Sequence, residues 1–91
     1  NVLLFEQPMS PDSLRRLADL VMAACGGRAA VFSGSDADGY KYAVGEQDGD
    51  LRLLVKDLNA QLRGRGGGKP FFAQGSVQGT KAEIEAFFAD R

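Results

Sequence analysis

Histidine is absent from this sequence of 91 residues, and cysteine occurs once, at Cys25. Without histidine, the Ser-His and Cys-His pairs of nucleophilic catalysis cannot form, and the commonest metal ligand is lost. A single cysteine allows no internal disulfide, which favours a reducing, cytoplasmic location, and it argues against a zinc site within the chain. We therefore predict no catalytic residue, cofactor or metal here, and we interpret Cys25 as a buried structural thiol.

Long hydrophobic runs are missing as well. No apolar stretch approaches the ~18 residues of a membrane span, and the start of the chain shows no signal-peptide pattern. The length of 91 residues predicts a single domain over residues 1–91. Because the sequence opens at Asn1 without a methionine and enters a strand-like run at once, we expect a C-terminal fragment of a longer protein.

Neither sign of charge is in large excess, since the formal net charge is −1 at pH 7. The distribution along the chain is uneven, however. One segment holds a single base, Lys41, against five acids: Asp36, Asp38, Glu46, Asp48 and Asp50. Residues 63–69 hold three bases and no acid. The sequence therefore predicts a local basic surface on an otherwise balanced domain.

Apolar spacing predicts a small α/β domain with a mixed sheet of about four strands and three helices. Residues 2–5 and 29–32 are continuous apolar runs, which are typical of buried strands. Between them, Ser10 is the expected N-cap of a helix that Gly26 ends. Strand, helix and strand in this order form a βαβ unit with parallel pairing. Alternation over residues 40–44 then predicts a half-exposed strand that returns as a hairpin.

The second half of the chain predicts two helices and a strand. After a turn at residues 47–49, Asp50 is the expected N-cap of a helix that ends at Gly64. The apolar stripe of that helix comprises Leu51, Leu54, Val55, Leu58 and Leu62. Residues 71–77 predict a strand, and residues 80–83 match a capping box before the last helix.

Four glycines and three cations make up residues 63–69, in what we interpret as a loop. A P-loop requires glycine where this sequence has Arg63 and a hydroxyl residue where it has Pro70. The dinucleotide-binding motif requires a third glycine where Lys69 stands. Both motifs also lead from a strand into a helix, whereas here a helix precedes the loop and a strand follows it. The residues alone leave open either a packing turn or a contact with a polyanion.

The strand that follows carries a polar face beside these cations. Phe72, Gln74, Ser76 and Gln78 share that face because strand residues alternate. Amides and hydroxyls contact phosphate and sugar, and an exposed aromatic ring can stack on a base. The alternative is a solvent-facing surface on which the last helix covers Phe72.

Residues 64–70 followed by Ala73, Gln74 and Gly75 resemble the glycine-rich signature of the DHH-associated domain. This domain closes alanyl-tRNA synthetases, the related free-standing alanyl-tRNA editing proteins and DHH phosphoesterases. The order of the predicted elements is also similar, so the resemblance covers nearly the whole chain. The phosphoesterases usually carry a histidine where this sequence has Lys69, which argues against that branch. Residues 74–77 and 83–88 are more similar to the editing proteins than to the synthetases.

The resemblance implies a non-catalytic, tRNA-binding C-terminal domain of an alanyl-tRNA editing protein (a mischarged-tRNA deacylase) or of an alanyl-tRNA synthetase. The chemistry and its zinc would lie in upstream domains of the same chain, and alanine tRNA would be the partner. Residues that match the family signature are Gly64, Gly66, Gly67, Gly68, Lys69 and Gln74. Charge adds Arg63 and Arg65 as RNA-binding residues, and proximity adds Gln78 and Lys81.

A second hypothesis is an interaction module that forms a homodimer of the parent protein or docks its domains. Its surface would be an exposed Phe72 and the strand of Tyr40 and Tyr42 as an unpaired sheet edge.

Overall fold

The computed structural model describes residues 2–46 and 49–89, and of Cys25 only the backbone. The turn predicted at residues 47–49 and the predicted burial of the Cys25 thiol therefore lie outside the described parts. Within these residues the chain forms five strands and three helices. In chain order they are β1 (Val2–Glu6), α1 (Pro11–Cys25), β2 (Arg28–Ser35), β3 (Gly39–Glu46), α2 (Arg52–Gln61), β4 (Arg65–Lys69), β5 (Phe72–Val77) and α3 (Lys81–Ala89).

The strands form one mixed sheet in the order β1-β2-β3-β5-β4. β1 pairs with β2 in parallel, which confirms the βαβ unit, and every other pairing is antiparallel. The predicted α/β class is thus confirmed, with five strands where about four were expected. The additional strand is β4, the glycine-rich stretch that we interpreted as a loop.

Local capping explains how α1 begins and ends. The Ser10 hydroxyl accepts a hydrogen bond from the Ser13 backbone N–H at 3.2 Å, and Pro11 occupies the first turn. Gly26 adopts φ 70°, and its N–H donates to the Met22 carbonyl at 2.9 Å. Both ends confirm the sequence prediction.

The sheet has a helical layer on each face. On one face, α2 and α3 pack on a core that includes Phe32, Tyr42, Leu58 and Ile84. On the other face, α1 places Leu14 and Ala18 against Val31 and Ala43. The core lies between these layers, so the surface left for a ligand is the sheet's edges and the ends of its strands.

β3 is the central strand, hydrogen-bonded to β2 on one side and to β5 on the other. Tyr40, Tyr42 and Val44 pack towards α2 and α3, Ala43 packs towards α1, and Lys41 is exposed. The predicted half-exposed strand, and its role as an unpaired edge in the second hypothesis, are therefore wrong. The alternation over residues 40–44 suggested an exposed face, but the small Ala43 on that face is buried beneath α1.

The α2 helix confirms the predicted apolar stripe, since Leu51, Leu54, Val55, Leu58 and Leu62 are all buried. Asp50 lies one residue before Leu51, which occupies the N-cap position of α2. Its carboxylate nevertheless caps the helix start, because it accepts the Arg52 backbone N–H at 3.0 Å. The Arg52 guanidinium also pairs with this carboxylate at 2.6 Å. The side-chain and backbone hydrogen bonds from Arg52 lower the pKa of Asp50 to about 2.

At the end of α2, Arg63 rather than Gly64 takes the left-handed conformation, with φ 51°. The Gly64 N–H donates to the Asn59 carbonyl at 2.8 Å and closes the helix end. Gly64 is required for another reason, since a Cβ there would lie 2.6 Å from the Ser76 carbonyl oxygen on β5. The glycine thus permits close approach between the chain after α2 and the sheet.

The predicted capping box of α3 is confirmed. The Glu83 carboxylate accepts the Thr80 N–H at 3.0 Å, and the Thr80 hydroxyl accepts the Glu83 N–H at 3.2 Å. Asp36, in the β2–β3 turn, accepts both the Lys81 backbone N–H and the Tyr40 hydroxyl at 2.8 Å. The hydrogen bond from the Lys81 backbone lowers the pKa of Asp36 most, and the bond from the Tyr40 hydroxyl lowers it further. The Lys81 bond also ties the start of α3 to the sheet.

Candidate nucleic-acid interface

The glycine-rich stretch forms an edge strand of the sheet. β4 pairs only with β5 among the described strands, so its outer N–H and C=O groups lie along an open edge. All five of its residues are exposed, and so is Arg63 just before it. The structure therefore presents most of the predicted RNA-binding residues as one continuous surface strip.

Register assigns the residues of β4 to its two faces. Arg65 lies opposite Ser76, Gly67 opposite Gln74, and Lys69 opposite Phe72. Directly paired residues point to the same side of a sheet, so Arg65, Gly67 and Lys69 share the α1 face. Gly66 and Gly68 share the α2 face. By register both cations of β4 belong to one face, with a residue that lacks a side chain between them. Lys69, at the end of the strand, also lines a cavity beside α2.

Tyr42 accounts for two glycines of the neighbouring strands. Its hydroxyl donates to the Asn59 side-chain oxygen at 3.1 Å, and the Asn59 amide nitrogen donates to the Gly66 carbonyl at 3.2 Å. A Cβ would lie 2.8 Å from the Tyr42 hydroxyl at Gly66 and 2.7 Å from it at Gly75. Gly66 and Gly75 thus leave space for the tyrosine that joins the sheet to α2.

Packing also accounts for Gly68, but it does not account for Gly67. A Cβ at Gly68 would collide with the Phe72 carbonyl oxygen, whereas a Cβ at Gly67 would meet nothing within 4 Å. Gly67 also has no left-handed backbone angle that would require glycine. The missing side chain at position 67 is therefore not a requirement of the fold.

The cations of this strip are available to a ligand. No described carboxylate forms an ion pair with Arg63, Arg65 or Lys69. The Lys69 ammonium lies 5.7 Å from the centroid of the Phe71 ring, and Phe71 is 51% exposed. Phe71 is therefore the aromatic residue that a base could reach.

Phe72, which we expected to be exposed or covered by the last helix, is instead covered by α1. It is partly buried against the α1 core, and the Arg15 guanidinium lies 5.1 Å from its ring centroid. Both expectations for Phe72 are wrong because β5 directs this side chain to the α1 face. The surface of the second hypothesis is thus buried at Tyr40 and Tyr42 and partly buried at Phe72.

Three other predicted residues are placed differently. Gln74 donates its side-chain amide to the Pro11 carbonyl at 3.0 Å and so anchors α1. Gln78 is exposed, and its backbone N–H donates to the Leu62 carbonyl at 2.9 Å. Lys81 lies over the Phe5 ring of β1 at 5.0 Å, at the edge of the sheet opposite β4. Lys81 is therefore not part of the β4 strip.

Sequence reasoning missed the basic groups that the fold brings near β4. A cavity of about 380 Å³ between α2 and β4 is lined by Arg52, Lys56 and Asn59 as well as Lys69 and the three consecutive glycines. On the opposite face, Lys41 of β3 lies across Ser76 from Arg65. Lys41 is separated from Arg65 by more than twenty residues, so only the strand register could have revealed the pairing.

Residues 2–90 match the DHHA1 domain family. The chain belongs to this family. Alanine–tRNA ligase of Frankia alni is 42% identical over 86 residues, which are 88% of this chain and 10% of that protein. Alanine–tRNA ligase of Acholeplasma laidlawii is 32% identical over 75 residues, which are 82% of this chain and 9% of that protein. The DHHA1 domain described here thus spans about a tenth of the length of these relatives.

The crystal structure of the C-Ala domain from Aquifex aeolicus alanyl-tRNA synthetase has the same fold. The TM-score is 0.76, with 19% sequence identity, over 96% of this DHHA1 domain and 84% of that chain. The family resemblance is thereby confirmed at the level of both sequence and fold.

The described part of this DHHA1 domain offers no cluster of three or more His, Cys, Asp or Glu residues that could hold a metal ion. No described helix is long and apolar enough to cross a membrane.

Proposed function

We propose that this DHHA1 domain is the C-terminal tRNA-binding domain of an alanyl-tRNA synthetase, which acts in translation in the cytoplasm. Its β4 edge contacts RNA phosphates through Arg63, Arg65 and Lys69. Both aligned relatives are alanine–tRNA ligases, which favours the synthetase over the free-standing editing protein that the sequence details suggested. Aminoacylation, deacylation of mischarged tRNA and any zinc belong to other domains of the parent protein.

The observation that carries this proposal is the open position at Gly67. It lies between two exposed cations, on an edge strand, and nothing in the fold fills the space above it. A phosphate can approach the backbone of β4 there and be held from both sides by Arg65 and Lys69. Backbone N–H groups and basic side chains are the usual donors to nucleic-acid phosphates.

Self-pairing of the β4 edge is disfavoured. In an antiparallel pair of β4 strands centred on Gly67, Arg65 of one copy would face Lys69 of the other. Like charges directly opposite each other destabilise a strand pair, and charged residues protect sheet edges from association. This charge pattern favours an anionic partner over a second copy of the domain at this edge.

The test is Gly67→Val, measured on the 91-residue chain by filter binding to an alanine tRNA transcript. Valine suits an edge strand and meets no neighbour, so the melting temperature should stay the same or rise. Affinity for the tRNA should fall about tenfold or more, because the valine methyls occupy the space of the phosphate. Unchanged affinity with unchanged stability would show that RNA does not approach Gly67.

A further inference from the structure

A row of polar residues crosses the sheet on its α1 face. Ser33 of β2 pairs with Lys41 of β3, Lys41 pairs with Ser76 of β5, and Ser76 pairs with Arg65 of β4. Directly paired side chains lie on the same face, so these four residues form a line perpendicular to the strands. We call this line the polar row.

Helix α1 leaves most of the polar row accessible, whereas Ser33 is buried. The core contacts of α1 reach Val31, two residues before Ser33 on β2, and Ala43, two residues after Lys41 on β3. Lys41 and Arg65 are exposed. Two neighbouring cavities of about 320 and 330 Å³ lie along the row, and Lys41 and Ser76 line both of them. At Lys41, Ser76 and Arg65 the row is thus open to a ligand that extends across more than one strand.

The cavity towards β4 has the chemistry of a phosphate site. Lys41 and Arg65 flank the Ser76 side chain, and neither cation pairs with a carboxylate of the described residues. Adjacent strands are about 4.8 Å apart, so the two cations emerge about 10 Å from each other. That spacing leaves room for one phosphate, with the Ser76 hydroxyl as a further donor.

The cavity towards β2 has a different character. Ser33 is only 2% exposed, and its hydroxyl has no hydrogen-bond partner among the described residues. A buried hydroxyl without a partner is costly and calls for an explanation. Asp38 lines the same cavity, and Glu6 pairs with Ser33 on β1. These acids disfavour a second phosphate, but a ligand hydroxyl can donate to a carboxylate and bond with Ser33.

We propose that the polar row binds one nucleotide of RNA, with its phosphate between Lys41 and Arg65 over Ser76 and its ribose hydroxyl at Ser33. This inference rests on the proposed function and extends the RNA surface from the β4 edge across three further strands. It adds Lys41, Ser76 and Ser33 to the binding residues and assigns the RNA to the α1 face rather than to the cavity beside α2. Because a 2′-hydroxyl distinguishes RNA from DNA, Ser33 becomes a determinant of RNA preference.

The test compares an alanine tRNA transcript with DNA of the same sequence, titrated with the 91-residue chain at several salt concentrations. Lys41→Gln should reduce the log–log salt slope by about 0.9, the loss of one phosphate contact, with no change in melting temperature. Ser33→Ala should leave the free protein as stable or more stable, and should lower the preference for RNA about fivefold, as expected for one hydrogen bond. Lys56→Gln tests the alternative cavity beside α2, and it should change neither quantity if the RNA lies on the α1 face.

Each contrary outcome has a distinct meaning. Lys41→Gln could leave the salt slope of tRNA affinity unchanged while binding still depends on Arg65 and Lys69. That result overturns this inference and leaves the proposed function intact. Loss of binding in Lys56→Gln instead assigns the RNA to the α2 face and also overturns it. Equal effects of Ser33→Ala on RNA and DNA refute the ribose contact. No tRNA binding by the unsubstituted chain refutes the proposed function and this inference together.

Discussion

Removing the three cations of the β4 strip together should weaken alanine tRNA binding by about two to three orders of magnitude at 0.1 M salt. The variant is Arg63→Asn/Arg65→Gln/Lys69→Gln, with asparagine at position 63 because it tolerates the left-handed backbone found there. Each phosphate contact contributes about 0.9 to the slope of log affinity against log salt, so the slope should flatten by about 2.7. Filter binding between 50 and about 300 mM salt measures it.

The matched control for this triple variant is Arg16→Gln. Arg16 is exposed on α1 and lies outside the strip, so its loss changes net charge without removing a proposed contact. Its slope should equal that of the unsubstituted chain. A triple variant that melts normally and keeps the full slope would contradict a role for β4 in binding phosphates.

Gly66→Ala should destabilise the domain by about 2–3 kcal/mol, whereas Gly67→Ala at the next position should change stability by less than about 0.5 kcal/mol or increase it. At Gly66 the backbone has φ 144°, and an added Cβ meets both the Tyr42 hydroxyl and the Gln74 carbonyl oxygen. At Gly67 the added methyl meets nothing within 4 Å. Two identical substitutions at adjacent positions thus separate the glycine that the fold requires from the glycine that it does not.

Thermal unfolding followed by circular dichroism measures this contrast. For a domain of this size, the expected loss of unfolding free energy in Gly66→Ala corresponds to a fall in melting temperature of roughly 10–20 °C. Tyr42→Phe provides a control, because it removes the bond to Asn59 but creates no collision, and it should cost only about 1 kcal/mol. Equal effects at positions 66 and 67 would contradict the packing explanation of the glycines.

Local signals in the sequence were sufficient for the helices. Ser10, Gly26 and the Thr80–Glu83 pair act on backbone groups within a few residues, so their roles follow from residue type and spacing alone. The apolar stripe of α2 was equally readable because its period is that of a helix. These features fixed the βαβ start and the α/β class.

The strand β4 could not be predicted because its stabilisation comes from outside its own sequence. Three consecutive glycines have low strand propensity, and the strand exists because β5 pairs with it and Asn59 holds the Gly66 carbonyl. The burial of Phe72 depends in the same way on which face of β5 meets α1. Side-chain alternation identifies two faces, but it does not say which layer covers each one.

The binding surface was predicted in part for a related reason. Arg63, Arg65 and Lys69 are neighbours in sequence, so their cluster was visible. Lys41 lies in the most acidic segment of the chain, and it joins Arg65 only through two strand pairings. Lys81 was included for its nearness in sequence to β5, but the path of the chain carries it to the opposite edge of the sheet.

The most direct measurement is a map of backbone amide chemical shifts of the 91-residue chain during titration with an alanine tRNA transcript. Our account predicts that shifts concentrate on β4, on residue 63 and on the strand positions around Lys41 and Ser76. The amides of β1 and α3, at the other edge, should change little. Shifts centred on β1 and α3, with β4 unaffected, would contradict the assignment of the β4 edge as the RNA-binding surface.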